Sequence, residues 1–138
     1  MKKIFLSLLV FLSLSLISEA QEKALGLRFG KGGEISYYHP LEGNRLELDV
    51  GAWSYGVNVT AVHDWIFYIN DSFNWFTGVG ASLGADNYRG AIGLLGNIGI
   101  EYNLSIPLML TVDYRPVYFF GETGFKWDGL AFGVRYRF

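Results

Sequence analysis

The last ten residues of the chain read GLAFGVRYRF (129–138). Leu130, Phe132, Val134, Tyr136 and Phe138 are apolar, and between them stand Gly129, Ala131, Gly133, Arg135 and Arg137. Side chains of an extended strand point alternately to opposite faces. The segment is therefore predicted to be a strand with one apolar face and one face of small residues and guanidinium groups. Chain ends are usually frayed and polar. An aromatic final residue on such a pattern implies an end held inside a sheet.

The same period of two recurs from Gln21 onward, punctuated by Gly, Asn, Asp and Pro. Eight strands are predicted, over about 23–31, 33–40, 45–53, 55–68, 73–84, 91–102, 108–119 and the closing segment. The third is typical: Leu46, Leu48, Val50 and Ala52 share one face, Arg45, Glu47, Asp49 and Gly51 the other. The stretches ADNYRG (85–90) and GETGFK (121–126) read as loops. Gly is frequent at 18 residues, and the chain carries 4 Trp, 9 Tyr and 11 Phe, a composition that favours strands over helices.

The opening, MKKIFLSLLVFLSLSLISEAQ (1–21), has a different character. Lys2 and Lys3 precede an apolar run from Ile4 to Ile17, and Ser18-Glu19-Ala20 places small residues where a signal peptidase cuts. The run is short for a spanning helix, which needs about 20 residues. Residues 1–20 are expected to be a cleaved signal peptide and 21–138 one domain. With no Cys, the exported domain has no disulfide, no thiol chemistry and no cysteinyl metal site. A formal net charge of −2 gives no reason to expect nucleic acid as a partner.

Eight antiparallel strands with one apolar face suggest an up-and-down barrel, because closure removes the sheet edges. Two arrangements satisfy the pattern. A soluble barrel of lipocalin type turns the apolar face inward, and a membrane barrel turns it outward into lipid. The composition of the polar face favours the second. It carries Gly at about every second position, which suits a narrow lumen better than a solvated surface. Its charges balance closely. Arg28, Arg45, Arg115, Arg135 and Arg137 stand against Glu34, Glu47, Asp49, Asp64, Glu101 and Asp113. Such a set is expected to form an internal ion-pair network, since an unpaired buried charge is costly.

The aromatics also gather at the two ends of the strands. Trp53, Tyr55, Tyr88, Tyr118, Phe119, Phe120, Phe125 and Trp127 fall at one end. Tyr37, Trp65, Phe67, Tyr68, Phe73, Trp75, Tyr102, Tyr136 and Phe138 fall at the other. An aliphatic band between two aromatic girdles is the pattern of a barrel crossing a bilayer.

The alternating ending Phe132, Val134, Tyr136 and Phe138 resembles the C-terminal assembly signal of outer-membrane β-barrels. The stretch IGIEYNLSIPLMLTVDYRP (98–116), followed by GLAFGVRYRF, resembles small outer-membrane barrels of Bacteroidetes-type bacteria, with OmpA/OmpX-like architecture. The resemblance implies an all-β, eight-stranded antiparallel barrel in the outer membrane of a Gram-negative bacterium. It also implies membrane lipids and the barrel assembly machinery as partners, a monomeric state, and chain ends on the periplasmic side. It is specific for location and fold, not for activity.

Candidate chemistry is sparse. Some small outer-membrane barrels modify lipid A with a Ser or His supported by an acid. Here His39 lies in the turn HPLEGN (39–44), and His63 is followed by Asp64, which alternation turns to the opposite face. Both histidines fall toward the periplasmic end, far from an outer-leaflet substrate. No catalytic residue, cofactor site or metal site is therefore expected. The Gly-rich stretch GVGASLGADNYRG (78–90) precedes no helix that would offer its N-terminus to phosphate. The loops at 31–33, 53–55, 85–90 and 121–126 are short, with Tyr88, Arg89, Glu122, Phe125 and Lys126 as exposed candidates. A structural or surface-interaction role is the expectation. A lipid A-modifying enzyme and a secreted lipocalin-like carrier are the alternatives.

Overall fold

Period-two patterning becomes one continuous antiparallel sheet in the computed structural model, which describes residues 2–7, 23–30, 32–53, 56–86, 90–120, 124–127 and 129–138. The strands are β1 (Ala24–Phe29), β2 (Gly33–Leu41), β3 (Asn44–Trp53), β4 (Gly56–Tyr68) and β5 (Phe73–Asp86). They continue as β6 (Gly90–Asn103), β7 (Leu108–Tyr114), β8 (Val117–Phe119), β9 (Gly124–Lys126) and β10 (Leu130–Arg137). β7 with β8, and β9 with β10, each form one interrupted stave, so the wall has eight staves.

Closure is made by β1 against β10, from Ala24↔Arg137 to Phe29↔Phe132. Beyond β1, Lys23 and Phe138 exchange two backbone hydrogen bonds, at 3.1 and 2.8 Å, so the final residue is paired. This clasp and the turns at 42–43, 69–72 and 104–107 mark what we term the terminal end. In the first of these turns Gly43 adopts a φ of 71°, a value L side chains rarely take.

The turn expected over 39–44 shortens to 42–43, with His39 inside β2 and Asn44 opening β3. Two larger features of the strand path also depart from the sequence expectation. The stretch 108–119 is not one strand. Pro116 has no amide hydrogen for the ladder, and the strand breaks at Arg115–Pro116. Pairing resumes around the break: Arg115 N donates to Gly129 O, and Gly96 N donates to Pro116 O, both at 3.1 Å. Second, the segment expected as the loop 121–126 contains β9, which pairs with β8 through Tyr118↔Phe125. Residues 8–22, with the expected cleavage site, lie outside the described residues. So do Tyr55, Tyr88, Arg89 and Glu122. Residues 2–7 are helical. No helix among the described residues is long and apolar enough to cross a membrane, which does not bear on strands.

The direction of the two faces is unambiguous. Leu48, Val50, Val59, Val79, Ile98, Val112 and Phe132 are exposed on the outer wall. Inside, Arg28, Arg45, Glu47, Asp49, Asp64, Glu101, Asp113, Arg115 and Arg135 are buried. The barrel is thus apolar outside and charged inside, the inverse of a soluble protein.

Aromatics gather around the terminal end of the outer wall and, at the opposite end, on and beside β8 and β9. The side chain of Trp53, also expected there, lies outside the described residues. At the terminal end Phe67 stacks on Trp75, with centroids 4.3 Å apart, and Phe73 packs on Tyr102 at 4.7 Å. At the opposite end Tyr118, Phe125 and Trp127 form a run with spacings of 4.8 and 5.1 Å. Phe119, expected in this girdle, instead turns into the lumen and is buried. It lies one residue from the outward Tyr118, and strand alternation requires the inward direction.

Candidate functional site

The lumen holds the chain's concentration of charge. Each guanidinium comes from a different strand or junction. Arg28 and Arg45 each meet the acid directly opposed on the adjacent strand and a second acid farther round the wall, and Arg115 reaches acids on β3. Arg28 of β1 donates from Nε to Asp113 Oδ2 at 3.1 Å, from Nη2 to Asp113 Oδ1, and from Nη1 to Glu34. Arg115, at the break between β7 and β8, donates to Asp49 Oδ2 and Glu47 Oε1, both at 2.8 Å. Arg135 of β10 donates to Ser36 Oγ at 2.8 and 3.0 Å, to Thr111 Oγ1 at 2.7 Å, and to Glu47 Oε1 at 3.4 Å. Arg45 of β3 pairs with Glu101 and has its Nε 3.5 Å from Asp64 Oδ2. Asn97 and Asn74 complete the set, donating to Asp64 at 2.8 Å and to Glu101 at 3.0 Å.

The eight-stave geometry explains why these groups meet. The interior of such a barrel is just wide enough for side chains, so long guanidinium side chains from one wall meet short carboxylates from the other. Arg presents a rigid fork that satisfies two acceptors at once, and here Arg28 and Arg115 each bridge two acids. Glycine supplies the remaining room. A Cβ on Gly133 would come within 2.5 Å of the Arg135 guanidinium and 2.4 Å of Thr111 Oγ1.

One layer of the lumen is aromatic. The Tyr38 ring lies between two guanidinium groups, 3.8 Å from that of Arg45 and 4.0 Å from that of Arg135. Phe76 supports Arg45 from another side at 4.6 Å. A cation over an aromatic face in a desolvated site is worth about 2 kcal/mol. This layer separates two vestibules. The larger, about 430 Å³, opens at the terminal end and has Tyr38, Arg45 and Glu101 in its lining. The smaller, about 80 Å³, lies at the opposite end beside Arg28, Thr60 and Ser82.

Arg137 differs from its neighbours. Its Nη2 donates to the carbonyls of Leu104 and Ile106, at 2.9 and 3.0 Å, in the turn between β6 and β7. Sequence reasoning placed it among the lumen pairs because it shares a face with Arg135. Its position at the rim brings it to turn carbonyls. The inward roles of Tyr38 and Phe76 as ring partners of guanidinium groups were not anticipated. Their place on the polar face of the alternation was the available signal.

Neither histidine lies in this lumen. His39 accepts or donates at Nδ1 with Tyr37 Oη, 3.0 Å away, and His63 packs on Trp65 with centroids 4.9 Å apart. Both face outward, whereas Asp64 is buried inside, so wall and backbone separate His63 from Asp64. Among the described residues no group of three or more His, Cys, Asp or Glu is arranged to hold a metal ion. The four expected assembly-signal residues share the outer face at the seam. Phe132 pairs with Phe29, Val134 with Leu27, Tyr136 with Leu25, and Phe138 stacks on Tyr136 at 6.4 Å.

No family model matches the chain, and no curated protein matches it. Among solved structures it resembles the crystal structure of Neisserial surface protein A (NspA), with a TM-score of 0.64 and 20% sequence identity. The match covers 85% of this chain and 94% of that one. At this identity the likeness concerns the fold: a closed, eight-stave antiparallel barrel.

Proposed function

We propose that the chain is an integral outer-membrane barrel with a structural or surface-interaction role, not an enzyme. The observation that carries this reading is the inverted distribution of polarity. A band of exposed Leu, Ile and Val encloses an ion-paired interior and is bounded by aromatics at both ends. Water does not reward that surface, and a bilayer does. The neighbour of similar fold is itself named a surface protein.

In this reading residues 1–20 are a signal peptide removed on export. The terminal end faces the periplasm, and the barrel is a monomer delivered by the assembly machinery that reads Phe132, Val134, Tyr136 and Phe138. The Arg45–Tyr38–Arg135 layer and the ion pairs around it favour a lumen closed to solutes. What the protein offers to other molecules is its outer wall and the loops opposite the terminal end. Fractionation of cells, combined with a heat-dependent change of mobility in SDS gels, tests the proposal. Outer-membrane recovery with such a shift is expected. Recovery as a detergent-free soluble protein refutes it and revives the lipocalin-like carrier.

A further inference from the structure

The outer wall is apolar or aromatic along most of its height, yet both histidines of the chain and Lys23 fall on it in one row. The β1–β2 register pairs Ala24 with Tyr38, which sets Lys23 opposite His39. His39 is in turn opposite Leu46, and Leu46 opposite His63. Ala24 and Tyr38 are buried inside, so alternation turns Lys23 and His39 outward, where both are half-buried. The row begins at the seam, because the backbone of Lys23 is clasped to Phe138. A cationic or imidazole group on a lipid-facing wall is costly at mid-depth and costs little at the interface, where polar headgroups meet it.

The chemistry of the pair is directed. Tyr37 Oη lies 3.0 Å from His39 Nδ1. A phenol that donates to Nδ1 leaves the imidazole hydrogen on Nε2, pointing away from the tyrosine. With that tautomer, the register carried one residue past Ala24↔Tyr38 brings Lys23 and the His39 imidazole N–H to neighbouring positions of the rim, on strands flanked by Leu25, Tyr136 and Phe138. Two donors, one cationic, above an aliphatic and aromatic surface match an anionic phosphate carried on acyl chains. A free phosphate would make no use of the apolar flank.

We propose that Lys23, Tyr37 and His39 form a site for the phosphate of an anionic phospholipid in the leaflet around the terminal end. The inference rests on the membrane reading above. His63 stands two strands away from His39, about 10 Å, and is committed to Trp65, so it lies outside the site.

The test is native mass spectrometry of the folded chain released from micelles containing equal amounts of phosphatidylglycerol and phosphatidylcholine. The parent is expected to retain phosphatidylglycerol in preference. Lys23→Gln and His39→Gln are each expected to lower that preference about fivefold. Tyr37→Phe, which frees the imidazole tautomer, lowers it as well, and His63→Gln leaves it unchanged. Millimolar inorganic phosphate is expected not to displace the lipid. Equal retention of the two lipids by the parent, an unchanged ratio in the Lys23→Gln/His39→Gln double variant, or displacement by inorganic phosphate overturns the site alone. A heat-shifted gel band establishes that each variant is folded. A parent that never enters vesicles overturns the membrane reading, and the site with it.

Discussion

Arg115 is the side chain whose loss reports most directly on the lumen. Its guanidinium bridges Glu47 and Asp49 at 2.8 Å each, and both carboxylates are fully buried. Replacing it with Met keeps much of the volume and removes the charge. Glu47 retains Arg135 at 3.4 Å, but among the described residues no second guanidinium is recorded within ion-pair distance of Asp49. Removing one partner of a buried pair typically costs 3–5 kcal/mol, so Arg115→Met is expected to destabilise by about 4 kcal/mol. Asp49→Asn alone leaves Arg115 with Glu47 and is expected to cost about 1.5 kcal/mol. If the energy lies in the uncompensated carboxylate, the double variant costs less than the sum, about 3.5 kcal/mol, which is a coupling of about 2 kcal/mol. Urea unfolding of the vesicle-inserted barrel, followed by tryptophan fluorescence, measures all four corners of the cycle. An Arg115→Met variant within about 0.5 kcal/mol of the parent, or a cycle that is additive within that margin, refutes the account of the lumen as a set of obligatory pairs.

Three further perturbations probe other parts of the structure. Leu48→Arg places a charge on the exposed outer wall; it is expected to cost about 2–4 kcal/mol in a bilayer, and a near-neutral effect in vesicles would count against lipid contact. A Cβ on Gly26 would lie 1.9 Å from the Val134 carbonyl across the seam, whereas one on Gly33 meets nothing within 4 Å. Gly26→Ala is therefore expected to abolish the folded band in SDS gels and Gly33→Ala to keep it; equal behaviour of the two would contradict the seam geometry. Deleting Phe138 removes the backbone pair with Lys23 and the ring stacked on Tyr136. Lower barrel levels in the outer membrane are expected, and parental levels would argue against the terminus as an assembly signal.

Much of the barrel is legible in single residues. The alternation in 45–53 and 91–102 places Glu47, Asp49, Asn97 and Glu101 on one face, and all four are inside. The ends of strands are less legible. The break at Arg115–Pro116 follows from a missing amide hydrogen, but alternation on either side of it runs on without a skip. β9 is hidden because its three residues carry no period of their own, and its stability comes from pairing with β8. The rim role of Arg137 is invisible for a similar reason. Periodicity reports the face a residue shares, not its height along the barrel.

By itself the sequence determined that the chain is made of strands, that each strand has one apolar and one polar face, and that the polar face carries nearly matched charge. Those properties are local, because the extended backbone turns successive side chains to opposite sides wherever it runs. Which arginine meets which acid is not local. Arg135 and Ser36 are 99 positions apart, and Arg115 and Glu47 are 68 apart. Their meeting depends on the closing register of β1 against β10 and on the stagger that closure imposes on every stave. The tertiary structure decided those pairings, the clamp on Tyr38, and the gathering of Lys23 and His39 at the seam, because all of them exist only once the sheet has closed on itself.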